Sequence, residues 1–433
     1  MNTVDIITKK RNGHVLSDEE IQYIVTGYTD GSIPDYQMSA FLMAVYFQGM
    51  NHDETVKLTQ IMRDSGDIVD LSDIEGIKVD KHSTGGVGDK TTLIVAPIAA
   101  SCGVPIAKMS GRGLGFTGGT VDKLESIPGY RTSLERQEFV NQVNRVGISV
   151  IGQTGHIAPA DKKIYALRDV TGTVENLSLI TSSIMSKKLA AGSDAIVLDV
   201  KCGKGAFMKD EKSATKLASL MVEIGNANDK KTMALITDMN EPLGNAIGNS
   251  LEVIEAIDTL KGSGPDDITE LSIKLSAVMI YAGECAATIE EAEAMANDAI
   301  NSGRALNKLG DMIKAQGGDD KVINDYSLMP HCDNKYELKA DQSGYIKCID
   351  AMSVGLASQH TGAGRETKDD IINMGAGIYL HKRVGDKVCE GDLLADIFTD
   401  KSFTDDILDE LRDAYEITDE PVEKNSLIRR SIL

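Results

Sequence analysis

Residues 110–125 read S-G-R-G-L-G-F-T-G-G-T-V-D-K-L-E, and the interpretation of the chain starts from this stretch. It holds five glycines in sixteen residues, hydroxyls at Ser110, Thr117 and Thr120, and cations at Arg112 and Lys123. Glycine allows the backbone to approach a ligand closely. Backbone N–H groups, hydroxyls and a lysine together form a cradle for an anion. An ordinary glycine-rich turn has the same composition, so composition alone leaves both interpretations open.

A second glycine-rich segment precedes the first, and residues 81–92 read K-H-S-T-G-G-V-G-D-K-T-T. A P-loop needs glycine directly before its lysine, whereas Asp89 stands before Lys90. The segment follows a short strand predicted at 77–79 and opens a helix, a position that suits phosphate binding. A lone histidine such as His82 is more often structural than catalytic, although imidazolium near neutral pH can donate a proton or a hydrogen bond.

The rest of the chain divides by its hydrophobic pattern. Its 433 residues predict two or three domains. Residues 1–66 read as helical, and from residue 78 short apolar runs alternate with helices, which predicts a largely parallel α/β sheet. Further helical sequence interrupts this alternation at about 162–193. After about residue 332 we expect the helices to stop and short strands with Gly-Asp turns to follow. Helix caps are predicted at Ser17, Asp35, Asn51 and Thr288.

Composition excludes several classes of protein. Apolar residues make up 42% of the chain and tryptophan is absent, and no apolar run reaches the length of about 20 residues that a membrane span needs. The N-terminus lacks the pattern of a secretory signal. Six cysteines without a C-x-x-C pair predict reduced thiols in the cytoplasm. The net charge of −21 disfavours nucleic-acid binding, so any anion site must be built locally.

Both glycine-rich segments resemble those of the thymidine and pyrimidine-nucleoside phosphorylases, and the resemblance extends over essentially the whole chain. It implies reversible phosphorolysis of a pyrimidine nucleoside to the free base and an α-D-pentose 1-phosphate. It also implies a small all-α lobe of two segments (1–66 and 162–193), hinged against a larger α/β lobe with a mostly parallel sheet (67–161 and 194–331). A C-terminal β-rich, barrel-like domain (332–433) completes the expected fold.

The same resemblance assigns roles to individual residues. Phosphate is expected on Lys81, Ser83, Thr92, Lys108, Ser110 and Thr120. The pyrimidine is expected on His82, Tyr165, Arg168, Ser183 and Lys187, with His82, Arg168 and Lys187 acting on the departing base. Cationic donors suit a base that offers two carbonyls and gains negative charge as it leaves. By spacing alone, Arg168 and the lysines also fit a solvated helix face.

A monovalent cation and a partner subunit are also implied. The resemblance places potassium on the carbonyls of Gly88, Leu243 and Ala246 and on the Glu255 carboxylate, with Lys90 or the neighbouring Thr91 as a further ligand. Such an ion would brace the glycine-rich segment 81–92, which we call the phosphate loop. The resemblance further implies a homodimer through the helical lobe. No organic cofactor is expected.

Two other functions stay open at this stage. A glycosyltransferase of the fold shared with anthranilate phosphoribosyltransferase would use a diphosphate donor and magnesium. A lipoyl-type carrier would bear its modification on Lys401, because the hairpin pattern of the tail resembles such domains. Within the phosphorylases, the sequence does not separate uridine from thymidine.

Overall fold

The computed structural model describes residues 1–113, 115–116, 118–153, 155–367, 370–401, 405–424 and 426–433. Thr117, a hydroxyl of the predicted anion cradle, lies outside the described residues. Helices α1–α16 span, in order, Thr3–Arg11, Asp18–Asp30, Asp35–Gln48, His52–Asp64, Thr91–Ser101, Thr120–Glu125, Arg136–Val146, Pro159–Asp169, Leu177–Ala190, Glu211–Asn226, Asn249–Leu260, Asp266–Ala282, Ile289–Asn301, Arg304–Ala315, Ala351–Ser358 and Asp405–Asp413. Strands β1–β13 span Val79–Ser83, Ile106–Ser110, Ile148–Gly152, Ala195–Cys202, Lys231–Asp238, Ala246–Gly248, Lys335–Lys339, Gly344–Ile349, Gly377–Leu380, Lys387–Val388, Leu393–Phe398, Tyr415–Thr418 and Ile428–Ile432.

The N-terminal helices α1–α4 form one packed unit with α8 and α9. Ile24, Phe41 and Met62 share a buried core with Ile164 of α8 and Leu179 of α9. Burial of such side chains contributes about 1.5–3 kcal/mol each, so this shared core holds two distant chain segments together. The helical interruption of the α/β pattern therefore packs on the N-terminal helices.

Helix starts follow the capping residues at three of the four predicted positions. Ser17 and Asn51 form complete capping boxes at α2 and α4. Thr288 accepts a hydrogen bond from the third backbone N–H of α13. The prediction for Asp35 is wrong: this residue is the first of α3, and the cap position before it is a proline without a side-chain bond. The Asp35 carboxylate instead accepts a hydrogen bond from the Tyr28 hydroxyl at 3.1 Å.

The larger lobe is built on a sheet of order β1-β4-β5-β13, in which β1, β4 and β5 are parallel. A second parallel pair, β2-β3, lies beside it. Helices α5, α11 and α12 pack on this lobe through one large apolar core. The predicted α/β class is therefore confirmed. The strand predicted at 77–79 lies later, at Val79–Ser83, because its residues pair along β4 as far as Ser83 with Asp199.

The end of the chain returns to the α/β lobe. Strand β13 pairs antiparallel with β5, with Ser431 opposite Leu235. The predicted boundary at residue 332 assigned this strand to the C-terminal domain, whereas its backbone hydrogen bonds extend the main sheet. The other boundaries stay predictions, since the packing alone does not fix them to a residue.

The C-terminal region forms the sheet β10-β8-β12 and three strands of the sheet β6-β9-β11-β7, whose edge strand β6 comes from the α/β lobe. The expectation that helices stop after residue 332 is wrong, because α15 and α16 lie here. Asp350 caps α15 by accepting from the Ser353 N–H, and apolar residues such as Val354 bury the helix against the strands. Within the described ranges, no helix combines the length and apolar character that crossing a membrane requires.

Candidate active site

The first cavity lies at the carboxyl ends of β1 and β2 and has a volume of about 260 Å³. Strand ends that meet at one edge of a parallel arrangement commonly form ligand sites. Five of the six residues predicted to bind phosphate line it, namely Ser83, Thr92, Lys108, Ser110 and Thr120. The two glycine-rich segments therefore converge on one polar cavity, which we call the anion cavity.

Lys81, the sixth predicted phosphate residue, is not part of the cavity lining. Its ammonium donates to the Thr91 hydroxyl and lies 3.6 Å from Asp199 and 3.9 Å from Asp89. The side chain is buried beneath the loop that begins at Gly85. In this arrangement Lys81 braces the loop from below.

Two buried lysines share one carboxylate at the floor of the anion cavity. Lys108 Nζ lies 3.1 Å from one oxygen of Asp80, and Lys188 Nζ lies 2.9 Å from the other. Burial raises the pKa of Asp80, but the two ammonium groups outweigh it and hold that pKa well below the usual range. Burial lowers the pKa of Lys108 to about 8, although Asp80 opposes the shift. The site therefore keeps an excess of positive charge for an anion.

A second cavity of about 580 Å³ adjoins the first, and we call it the base cavity. All five residues predicted to bind the pyrimidine line it: His82, Tyr165, Arg168, Ser183 and Lys187. Its walls are otherwise largely apolar, with Ile157, Val174, Ile180, Ile184, Phe207 and Leu217. An apolar slot with a few converging polar groups is typical of a small-molecule site.

Arg168 lines the base cavity, but most of its donors are already engaged. The guanidinium donates to the carbonyls of Thr173, Val174 and Leu179 at 3.2, 2.7 and 3.0 Å. Burial lowers the pKa of Arg168, and Asp161 partly offsets the shift. These bonds fix the turn between α8 and α9, so Arg168 shapes the cavity wall in addition to any contact with a base.

Lys187 is half-buried and aims its ammonium at the cavity. It donates to the Asp161 carboxylate and, at 3.1 Å, to the Ser183 hydroxyl four residues earlier on α9. An ammonium has three donors, so one remains for a ligand. Asp161 was not predicted from the sequence, and only its position in the first turn of α8 could have suggested it.

His82 lies on β1, where the two cavities meet. Burial, followed by the charges of Lys188 and Lys108, holds the pKa of His82 well below its ordinary value. The ring is therefore neutral near pH 7, and the expected imidazolium does not fit this environment. Its Nε2 atom is buried without a hydrogen-bond partner among the described residues. A neutral imidazole with an unpaired ring nitrogen is suited to a hydrogen bond with a ligand.

The two cavities share four lining residues: His82, Gln153, Ile184 and Lys187. Of these, Gln153 and Ile184 were missed by the sequence interpretation. Gln153 directly follows β3, so a polar residue at the carboxyl end of a strand was the available signal. Ile184 gives no such signal, because an apolar residue on α9 reads as core.

The predicted potassium site contains a cation of the chain itself. The Lys90 ammonium donates to the carbonyls of Leu243 at 3.1 Å and Ala246 at 2.7 Å, and to the Glu255 carboxylate. The Gly88 carbonyl accepts the backbone N–H of Lys90 at 2.9 Å. An ammonium offers no acceptor and cannot ligate a metal ion. The residues present therefore do not fit a separate potassium ion at this point.

Comparisons with known proteins cover each part of this architecture. A family model described as "Glycosyl transferase family, a/b domain" matches residues 75–306, and one described as its helical bundle domain matches 4–66. A third, "Pyrimidine nucleoside phosphorylase C-terminal domain", matches 345–418. The tail that resembles a carrier hairpin thus matches a phosphorylase domain.

Similar proteins span the full length of the chain. A pyrimidine-nucleoside phosphorylase of Geobacillus stearothermophilus is 55% identical over 428 residues, which cover 99% of both chains. A pyrimidine-nucleoside phosphorylase of Staphylococcus aureus (strain MSSA476) is 54% identical over 433 residues and 100% of both chains. The structure of anthranilate phosphoribosyltransferase from Thermus thermophilus covers 72% of this chain and 99% of its own, with a TM-score of 0.58.

That last likeness, at 18% sequence identity, shows a shared fold alone. The glycosyl transferase model spans more than half of the chain, and the full-length identities stand far above that value. The domain order of the matches follows the helical lobe, the α/β lobe and the C-terminal sheets seen in the structure. The chain is an enzyme and belongs to the pyrimidine-nucleoside phosphorylase family of pentosyltransferases.

Proposed function

We propose that the chain catalyses reversible phosphorolysis of pyrimidine nucleosides, with uridine, thymidine and 2′-deoxyuridine as substrates, in pyrimidine salvage and catabolism. The observation that carries the proposal is the junction of a cation-lined anion cavity with an apolar base cavity at four shared residues. A nucleoside bound across that junction puts its base in one cavity and its C1′ atom at the mouth of the other.

In the proposed reaction, inorganic phosphate occupies the anion cavity. Lys108 and the hydroxyls of Ser83, Thr92, Ser110 and Thr120 surround it, and charge-assisted hydrogen bonds of this kind contribute about 1.5–3 kcal/mol each. The N-terminus of α5 adds the favourable end of a helix dipole. The anion is thereby held in place and oriented toward the base cavity.

The pyrimidine occupies the base cavity between apolar walls. Lys187, Gln153 and the neutral His82 are the polar residues shared by the two cavities. As the C1′–N bond breaks, negative charge develops on the base, and the Lys187 ammonium stabilises it. His82 donates a hydrogen bond to a base carbonyl and transfers no proton, in keeping with its lowered pKa.

Phosphate attacks C1′ from the face opposite the base through an oxocarbenium-like state. The configuration at C1′ inverts, the C1′–O bond forms as the C1′–N bond breaks, and no covalent enzyme intermediate is needed. The base leaves as an anion and takes up the proton that the attacking hydrogen phosphate loses once it is esterified. The anion cavity belongs mainly to the α/β lobe, whereas α8 and α9 supply much of the base cavity. Closure of the two lobes is the proposed way to bring the substrates into contact.

We expect a homodimer through the helical lobe, in the cytoplasm. Tyr36 and Phe47 of α3 are each 74% exposed, and large exposed apolar side chains on one lobe suit a contact with a second copy. The six cysteines are free thiols, compatible with a reducing compartment. Light scattering would give twice the mass of the chain, and a monomer mass would refute the dimer.

The direct test measures base release from uridine, thymidine and 2′-deoxyuridine by ultraviolet difference absorbance, with and without phosphate. Phosphate-dependent release from all three supports the proposal. Release from thymidine alone restricts the substrate class, and release without phosphate indicates a hydrolase. Failure to release any base with phosphate present refutes the proposed reaction.

A matched pair of variants tests the role of Lys187. Lys187→Ala removes the ammonium at the junction and is expected to lower kcat by about 100- to 1,000-fold. Lys212→Ala, an exposed lysine on α10, is the control and keeps wild-type kcat. Circular dichroism establishes that both variants fold. A wild-type kcat/KM for Lys187→Ala would remove this residue from the mechanism.

A further inference from the structure

The Lys90 side chain is enclosed by oxygen atoms. Its ammonium has three N–H donors, and the structure gives it three acceptors: the carbonyls of Leu243 and Ala246 and the carboxylate of Glu255. The side chain of Lys90 is 0% exposed. A buried ammonium with each donor satisfied is fixed in position. We call this group of oxygens the Lys90 cage.

The carboxylate of the cage is itself held from the other side. Glu255 Oε1 accepts the backbone N–H groups of Asn245 at 2.9 Å and Ala246 at 3.2 Å. Its charge is therefore oriented by the loop between β5 and β6 before any cation is considered. An anion fixed in this way attracts one positive charge, and that charge comes from Lys90.

Two glycines show how tightly the cage closes. Gly244 has φ +68°, and a Cβ there would lie 2.2 Å from Glu255 Oε2 and 2.9 Å from Lys90 Nζ. Gly88 has φ +72°, and a Cβ there would lie 2.3 Å from the Leu243 carbonyl oxygen. No larger residue fits at either position. A second cation beside the ammonium would meet the same charge at contact distance.

The position of Lys90 connects the cage to the anion cavity. Lys90 follows Asp89 directly and stands at the N-terminus of α5, two residues before Thr92, a residue of the cavity wall. The side chain joins this end of the phosphate loop to α11 through Glu255. The cage thus adds an attachment of the loop to α11, beside the contacts that Lys81 makes with Thr91 and Asp89.

We propose that Lys90 is a built-in monovalent cation that positions the phosphate loop, so that this enzyme requires no potassium. The oxygens that the family resemblance assigned to an ion hold a side chain of the chain itself. Lys90 lines neither the anion cavity nor the base cavity and is a positioning residue. The activity readout below rests on the proposed function, whereas the thermal readout is independent of it.

The first experiment uses the wild-type enzyme, exhaustively desalted into choline chloride and compared with equal ionic strength of potassium chloride. Tm and kcat/KM for phosphate are expected to be the same in both salts. A Tm that falls beyond the scatter of replicates in choline, or a kcat/KM that drops severalfold there, would overturn the proposal. Absence of base release with equal Tm in both salts would refute the proposed function and leave the built-in cation standing.

The second experiment restores a space for an ion. Lys90→Ser removes the ammonium, keeps the cage oxygens and adds a hydroxyl, so potassium is expected to raise both Tm and kcat/KM of this variant in a saturable way. In choline its Tm should lie about 5 °C or more below wild type, because the Glu255 carboxylate is left buried without a neutralising cation.

The control is Lys10→Ser, which removes a lysine with the same kind of buried partner in the helical lobe. Lys10 Nζ lies 2.8 Å from Glu54, and both side chains are at most 4% exposed. Its Tm should fall without recovery in potassium, because among the described residues Lys10 Nζ donates only to the Glu54 carboxylate and to no backbone carbonyl. Equal responses of the two variants to potassium would overturn the proposal. If Lys90→Ser does not fold, the wild-type comparison still decides.

Discussion

The pH dependence of kcat/KM for phosphate tests the anion cavity. We expect this quantity to fall above about pH 8, and we call that fall the alkaline limb of the profile. Burial lowers the pKa of Lys108 to about 8, while Asp80, at 3.1 Å, opposes the shift. Lys188, Lys81 and His82 also face this ammonium. A lysine with a lowered pKa is charged below that pH and neutral above it. Phosphate binding to the free enzyme should therefore weaken as the pH passes 8.

The expected magnitude follows from the fraction of protonated Lys108. At about pH 9 roughly one molecule in eleven keeps the charge, and at about pH 10 roughly one in a hundred. If only the charged form binds, kcat/KM for phosphate falls about tenfold for each pH unit above 8. Bound phosphate favours the charged form, so kcat at saturating phosphate should fall only at higher pH.

The assay measures initial rates of uracil release against phosphate concentration between about pH 6.5 and pH 10. Lys108→Arg is the matched variant, because a guanidinium keeps its charge throughout this range. Its kcat/KM for phosphate, whatever its absolute value, should lack the limb near pH 8. A flat wild-type profile, or the same limb in Lys108→Arg, would refute the assignment of Lys108 as the titrating group.

Two further predictions concern the base cavity. His82→Asn should lower kcat and also reduce the loss of Tm between about pH 7 and pH 5, because a histidine whose folded pKa is lowered costs stability as pH falls below its unfolded value. If Tm falls equally in the wild-type enzyme and in His82→Asn over this pH range, the conclusion that the His82 ring is buried and neutral is wrong. Arg168→Met removes the guanidinium donors from three backbone carbonyls and should lower stability by about 1–3 kcal/mol, measured by denaturant unfolding. Unchanged stability would mean that these bonds contribute nothing measurable.

Most of the fold could be predicted because its elements have local signals. The capping boxes at Ser17 and Asn51 and the alternation of apolar runs with helices depend on nearby residues, and all appear in the structure. The exceptions depend on distant pairing. Strand β1 ends at Ser83 because β4 pairs with it, and the last strand of the chain pairs with β5. Neither fact is present in a local window of sequence.

The candidate site shows the same division. Glycines, lysines and hydroxyls in two short strings were compatible with anion binding, and the family resemblance placed both strings on one phosphate; in the structure both line one cavity where strand ends meet at one edge. The partners of those residues could not be predicted. Asp80 and Asp161 fix the directions of Lys108, Lys188 and Lys187, and a carboxylate in a sequence does not reveal which ammonium it will face.

These partners also explain how a chain of net charge −21 can bind an anion. Beside the phosphate loop, four buried lysines touch three carboxylates: Lys108 and Lys188 share Asp80, Lys81 and Lys201 share Asp199, and Lys81 also lies 3.9 Å from Asp89. Each shared carboxylate reduces the cost of burying two ammonium groups but cancels only one charge. The surplus faces a site sheltered from water, where it is screened less than surface charge. The acidic surface and the anion site are therefore compatible, because charge around the loop is set by pairing and not by composition.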